Sequence, residues 1–105
     1  MAGSAGPQVH ARFSEEQPLW VLVGEDGTLL CARHALAGLV VLSWTTRAEL
    51  EAGIETLFGR APDLFRTHVP EQRTFRSLLE TAARLAMRLR IDEFVVDGLE
   101  RATRG

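Results

Sequence analysis

The chain has no lysine, no asparagine and no tyrosine, and only one cysteine, Cys31. A single cysteine excludes an internal disulfide framework and a cysteine-rich metal site. No apolar run approaches the ~20 residues of a helical membrane span. The motifs G-x-S-x-G, the P-loop and G-x-G-x-x-G are all missing, so no nucleophile elbow or glycine-rich phosphate cradle is written into the chain. An excess of positive charge is also lacking. The formal net charge is -2, whereas a generic binder of nucleic acid or of a membrane surface would be basic. The segment Met1-Ala2-Gly3-Ser4-Ala5-Gly6-Pro7 lacks the basic and apolar pattern of a secretory signal. A cytoplasmic address is the expectation. All 12 basic residues are arginine, which fits a GC-rich genome or a protein that works hot and says little about function.

What is present fits one domain. The 105 residues are 46% apolar and 25% charged, ordinary values for a folded globular chain. Residues 1–8 are expected to be a disordered tail of small residues, residues 9–98 a single α+β domain, and residues 99–105 a short polar tail.

The stretch Leu39-Val40-Val41-Leu42-Ser43-Trp44-Thr45-Thr46-Arg47-Ala48-Glu49-Leu50 organises the rest. Leu39 to Leu42 are apolar at every position, which predicts a strand covered on both faces. Thr46 with Glu49 three residues later forms a capping box. Leu50, Ile54, Leu57 and Phe58 make a helical stripe, and Gly59 supplies a left-handed stop. Before this stretch, Gln8 to Phe13 alternates like an edge strand. Leu19 to Val23 and Thr28 to Arg33 flank an Asp26-Gly27 turn and are expected to pair antiparallel. After it, Leu64 to Val69 reads as extended, because Pro70 disfavours helix at Val69. A second helix is expected from Glu71 to Leu89, with Pro70 at its start, and a last strand from Ile91 to Asp97.

This order, β-β-β-β-α-α-β, predicts a mostly antiparallel five-stranded sheet with two helices on one face. The last two strands would be parallel neighbours joined through those helices. Leu19, Val21 and Val23 oppose Trp20 and Leu22, so one apolar sheet face would stay bare. A patch of that kind is rarely tolerated by a monomer. A homodimer built on Trp20 and Leu22 is therefore expected.

Chemistry-bearing residues are sparse. Cys31 and His34 lie three apart on a strand and so face opposite ways. His10, His34 and His68 have no metal-ligand spacing. Glu15-Glu16, Glu25-Asp26 and Asp92-Glu93 read as turn residues. Arg73, Arg76, Arg84, Arg88 and Arg90 read as a solvated helix stripe. No catalytic residue, metal or cofactor is expected. One constellation stands out at the carboxyl ends of the predicted parallel strands, where α/β sheets bind ligands. It comprises Trp44, Thr45, Thr46 and Arg47 at the helix N-terminus, where an anion is favoured, together with Asp97.

Three segments carry a resemblance. Leu19-Trp20-Val21-Leu22-Val23-Gly24-Glu25-Asp26-Gly27, Ser43-Trp44-Thr45-Thr46-Arg47-Ala48-Glu49-Leu50 and Phe94-Val95-Val96-Asp97-Gly98 occur in this order. The pattern resembles the small bacterial enhanced-serine-sensitivity (SseB-type) domains and related domains of unknown function. The resemblance implies an α+β sheet protein without an established enzymatic activity, and it carries over no catalytic residue. Residues and resemblance together suggest a non-enzymatic homodimeric protein-interaction module. The alternative is a regulatory domain that binds a small anion at the N-terminus of the first helix.

Overall fold

The computed structural model describes residues 13–59 and 63–96. The expected strand from Gln8 to Phe13 lies outside these residues except for its last member, and Asp97 lies outside as well. The class is α+β, with elements in the order β1 (Pro18–Gly24), β2 (Cys31–His34), β3 (Gly38–Ser43), α1 (Arg47–Phe58), α2 (Leu64–Thr67), β4 (His68–Thr74), α3 (Phe75–Arg84), β5 (Arg88–Ile91) and β6 (Phe94–Val96).

The strands form two sheets rather than one five-stranded sheet. One is the antiparallel pair β1-β4, and the other has the order β2-β3-β5-β6. Within the second sheet, β3 and β5 are parallel and the outer pairs antiparallel. The sheets are joined through the backbone. Trp20 and Trp44 exchange both hydrogen bonds, at 2.7 and 2.9 Å, and Leu30 links Leu22 to Leu42. The hairpin turn after β1 is present. Gly27 takes a positive φ of 85°, and Asp26 accepts from both the backbone and hydroxyl of Thr28. The full antiparallel pairing expected from that turn is not made. A single bridge at Val23 and Leu29 persists, flanked by the bonds from Gly24 N–H to Thr28 C=O and from Leu30 N–H to Leu22 C=O. Cys31 to His34 then pair with β3 instead.

The region after α1 departs furthest from the sequence reading. Local signals divide His68 to Thr74 between an extended segment and the second helix, yet they form one strand against β1. Pro70 does not open a helix. It lies opposite Leu22 on an edge strand, a place where proline is tolerated. The helix begins only at Phe75, where Thr74 caps it by accepting from Ser77 N–H at 3.1 Å. It ends at Arg84, five residues before the expected Leu89. Ala86 adopts φ 58°, with Ala86 N–H bonding Ala83 and Met87 N–H bonding Ala82. That is a Schellman stop built on an alanine, a residue that gives no stop signal in sequence. The released residues Arg88 to Ile91 become β5, and the expected final strand becomes the turn and return strand of a β5–β6 hairpin.

These shifts place the helices on opposite faces, not on one. Leu19, Val21, Val23, Val41, Leu89 and Ile91 pack with Phe75, Leu78, Leu79 and Ala82 of α3. Leu22, Val40, Leu42 and Trp44 pack with Leu50 and Ile54 of α1. Successive side chains of a strand alternate in direction, so each face of β1 and β3 has its own helix. Each fully buried Leu or Phe contributes about 1.5–3 kcal/mol relative to exposure. The uncovered face that motivated a dimer through Trp20 and Leu22 is therefore filled by α1. Among the described residues, no helix is long and apolar enough to cross a membrane.

Candidate functional site

The carboxyl ends of β3 and β5 meet beside the start of α1. Ser43, buried at the end of β3, donates its hydroxyl to Arg90 C=O at 2.8 Å, and Asp92 N–H bonds Ser43 C=O at 2.9 Å. Asp92 follows β5 in a left-handed conformation, φ 52°, which Asp tolerates better than most residues. Its carboxylate accepts from Thr45 N–H at 3.0 Å and from Thr45 Oγ1 at 2.8 Å. The sequence reading assigned the acidic group of this edge to Asp97. Since β5 is the parallel neighbour of β3, Asp92 occupies the place beside Thr45.

The remaining predicted site residues are mostly engaged in structure. Thr46 is the N-cap of α1 and accepts from Glu49 N–H at 3.0 Å. Arg47 lies 3.4 Å from Glu51, and its guanidinium stacks over Trp20, 5.5 Å from the ring centroid. Arg47 is thus turned toward β1 and along the helix. Trp20 is half-buried, and Leu22 is fully buried on the α1 side, so Leu22 offers no surface to a partner.

Trp44 is different. It is only 2% exposed, yet it forms part of the wall of a cleft of about 240 Å³ together with Glu49, Gly53, Leu57, Arg90, Asp92 and Glu93. Its indole lies directly on Gly53 in the middle of α1, where a Cβ would fall within 2.9 Å of the ring atom Cε2. Arg90 comes to this side by alternation. Its neighbours Leu89 and Ile91 point toward α3, and its cross-strand partner Val95 packs on the α1 side.

The sequence reading missed Gly53, Arg90 and Asp92 as members of this site. Gly53 had a signal, because a glycine inside a capped helix costs about 1 kcal/mol against alanine and invites a packing reason. Arg90 has none, since in the sequence it reads with Arg73, Arg76, Arg84 and Arg88 as one helix stripe. The structure disperses that stripe. Arg73 is on β4, Arg76 and Arg84 are on α3, and Arg88 and Arg90 are on β5. Arg76 bonds Glu15 and Glu16.

Other titratable groups lie apart from the cleft. Cys31 donates to Leu29 C=O at 3.4 Å and lies 3.7 Å from the Met87 sulfur. Burial pushes its thiol above the usual range, which disfavours the nucleophilic thiolate. Asp26 is held below the usual carboxylate range by the Thr28 hydroxyl and backbone N–H. No group of three or more His, Cys, Asp or Glu side chains among the described residues is arranged to hold a metal ion.

No protein-family model matches the chain. No characterised protein matches it in sequence. Among solved structures, an Anabaena Tic22, described as a protein of protein transport, is similar to it with 15% sequence identity and a TM-score of 0.45. That similarity covers 85% of this chain, and this chain spans 46% of the Tic22 chain.

Proposed function

We propose that this chain is a non-enzymatic association domain that pairs with a second copy of itself. The observation behind this reading is Leu36, which is 92% exposed at the tip of the β2–β3 turn. The turn is not loose. His34 Nδ1 accepts the backbone N–H groups of Leu36 and Ala37, each at 3.1 Å. Gly38 takes a positive φ of 79°, and Arg88 donates to Ala37 C=O at 3.1 Å. A leucine held out by an ordered turn has its loop entropy already spent, which favours binding through that tip. Leu39, three residues on, is 44% exposed. A two-fold axis near this turn would set the same patch on both copies, and each buried leucine would regain about 1.5–3 kcal/mol.

The test is native mass spectrometry with sedimentation equilibrium over a concentration series. The expected result is a dimer for the unaltered chain. Leu36→Asp should weaken it by about 2 kcal/mol, roughly thirtyfold in Kd, at unchanged melting temperature. A monomer up to about 100 µM, a weak affinity of roughly 5–6 kcal/mol, removes the reading. So does a dimer that Leu36→Asp leaves intact.

A further inference from the structure

We infer that the cleft between α1 and the β5–β6 turn binds a small ligand with an anionic inner end and a cationic outer end, of the ω-amino-acid type. The inference is independent of self-association, because Leu36 and Leu39 do not line this cleft.

The inner end is defined by two donors. Trp44 is 2% exposed and lines the cleft, and among the described residues it hydrogen-bonds through its backbone, with no protein acceptor on its indole N–H. Among the described residues no fully buried side-chain nitrogen or oxygen lacks a partner, so this N–H reaches the cleft surface. An acceptor entering the cleft can take its hydrogen bond in place of water. The second donor is Arg90, half-buried on the same face. Among the described residues its guanidinium forms no ion pair. Arginine presents a planar fork that matches a carboxylate. Two unspent donors at one cleft, one of them cationic, call for an acceptor that carries negative charge.

The outer end has the opposite chemistry. Glu49 and Glu93 line the cleft and are exposed, and neither is in an ion pair among the described residues. Asp92, also in the lining, is occupied by Thr45. A simple anion would meet Arg90 but be repelled by these carboxylates, whereas a simple cation would leave Arg90 and the indole unpartnered. A ligand with both ends satisfies both groups. At about 240 Å³ the cleft lies below the roughly 300–1,000 Å³ of drug-sized pockets, which limits the ligand to a few heavy atoms. Gly53 lets the indole lie against α1, because a side chain there would meet the ring.

The test is a ¹⁵N-correlated NMR titration of the full chain with 4-aminobutyrate, butyrate and butylamine as separate probes. The chain has two tryptophans, so the two indole N–H signals are assigned by Trp20→Phe. The expected result is a shift of the Trp44 indole signal with 4-aminobutyrate, at concentrations at least about tenfold below any response to butyrate or butylamine. Arg90→Gln should weaken the response about tenfold or more while the backbone spectrum stays dispersed. Glu49→Gln and Glu93→Gln together should bring the affinities for 4-aminobutyrate and butyrate together. A Trp44 signal that ignores 4-aminobutyrate in a folded chain overturns the proposal. An equal response to butyrate overturns the two-ended chemistry.

Discussion

Gly53 and Trp44 are fitted to each other: the indole of Trp44 occupies the space where any other residue at position 53 would place its Cβ. Gly53 lies in the interior of α1, where glycine is normally about 1 kcal/mol worse than alanine. Gly53→Ala should therefore reverse the usual sign and destabilise the fold by about 1–3 kcal/mol through overpacking. In a Trp44→Leu background the same substitution should gain up to about 1 kcal/mol. Urea denaturation of the four variants measures the coupling, and additive effects would show that the two residues do not compete for space.

Asp92 ties the end of β5 to the start of α1 through Thr45. Asp92→Ala removes both hydrogen bonds and places an alanine in the left-handed region, so a loss of about 2–3 kcal/mol is expected. Asp92→Asn keeps a carbonyl acceptor and tolerates that backbone, and should lose about 1 kcal/mol. Equal stabilities for the two variants in urea denaturation would contradict this role.

Pro70 shields an open edge. Trp20 spends its N–H and C=O on Trp44, so the pair Trp20–Gln72 is not hydrogen-bonded across β1-β4, nor is Leu22–Pro70 two residues along. The Pro70 nitrogen therefore faces away from β1, on the unpaired side of β4. The next outward donor toward α2, the N–H of His68, is already bonded to Leu64 C=O. Pro70→Ala would restore one donor to that edge and should speed thermal aggregation in light scattering, with the melting temperature changed by no more than a few degrees. An unchanged aggregation rate would show that the edge is protected by other means.

Cys31 should behave as an inert thiol. Its folded pKa is raised by burial above the ordinary 9.0. The unfolded chain therefore releases the thiol proton first as pH rises. Any stability linked to this group is fully present below about pH 9 and declines above it as pH climbs toward the folded value. Cys31→Ala should flatten that alkaline decline. At about pH 8, disulfide-exchange labelling should be slow in the native state and speed up on unfolding. Fast native labelling would refute the burial account.

Local signals translated well where one element could be judged alone. Thr46 caps α1 and Gly59 closes it at φ 71° with its N–H on Glu55 C=O, as an N-cap threonine and a terminal glycine predict, while of the capping box only the Glu49 N–H to Thr46 bond is made among the described residues. The Asp26-Gly27 turn and the strand from Gly38 to Ser43 are also legible. The site was legible only at Trp44 and Thr45, because the carboxyl-end rule identifies an edge without saying which strand supplies its other half.

The sequence by itself determined the α+β class, the capped helix, the strand buried on both faces and the position of one turn. These depend on spacing and on side chains within a few residues of each other. Only the tertiary structure decided that His68 to Thr74 pair with β1, that α3 stops at Ala86, and that Arg88 to Ile91 lie parallel to β3. The physical reason is competition. Residues 68–74 carry turn and helix-start signals, but the free edge of β1 offers a run of backbone partners that local propensity cannot match. Once β4 takes that edge, the chain must return to β3 from the other side. That path sends α1 and α3 to opposite faces and sets Arg90 beside Trp44.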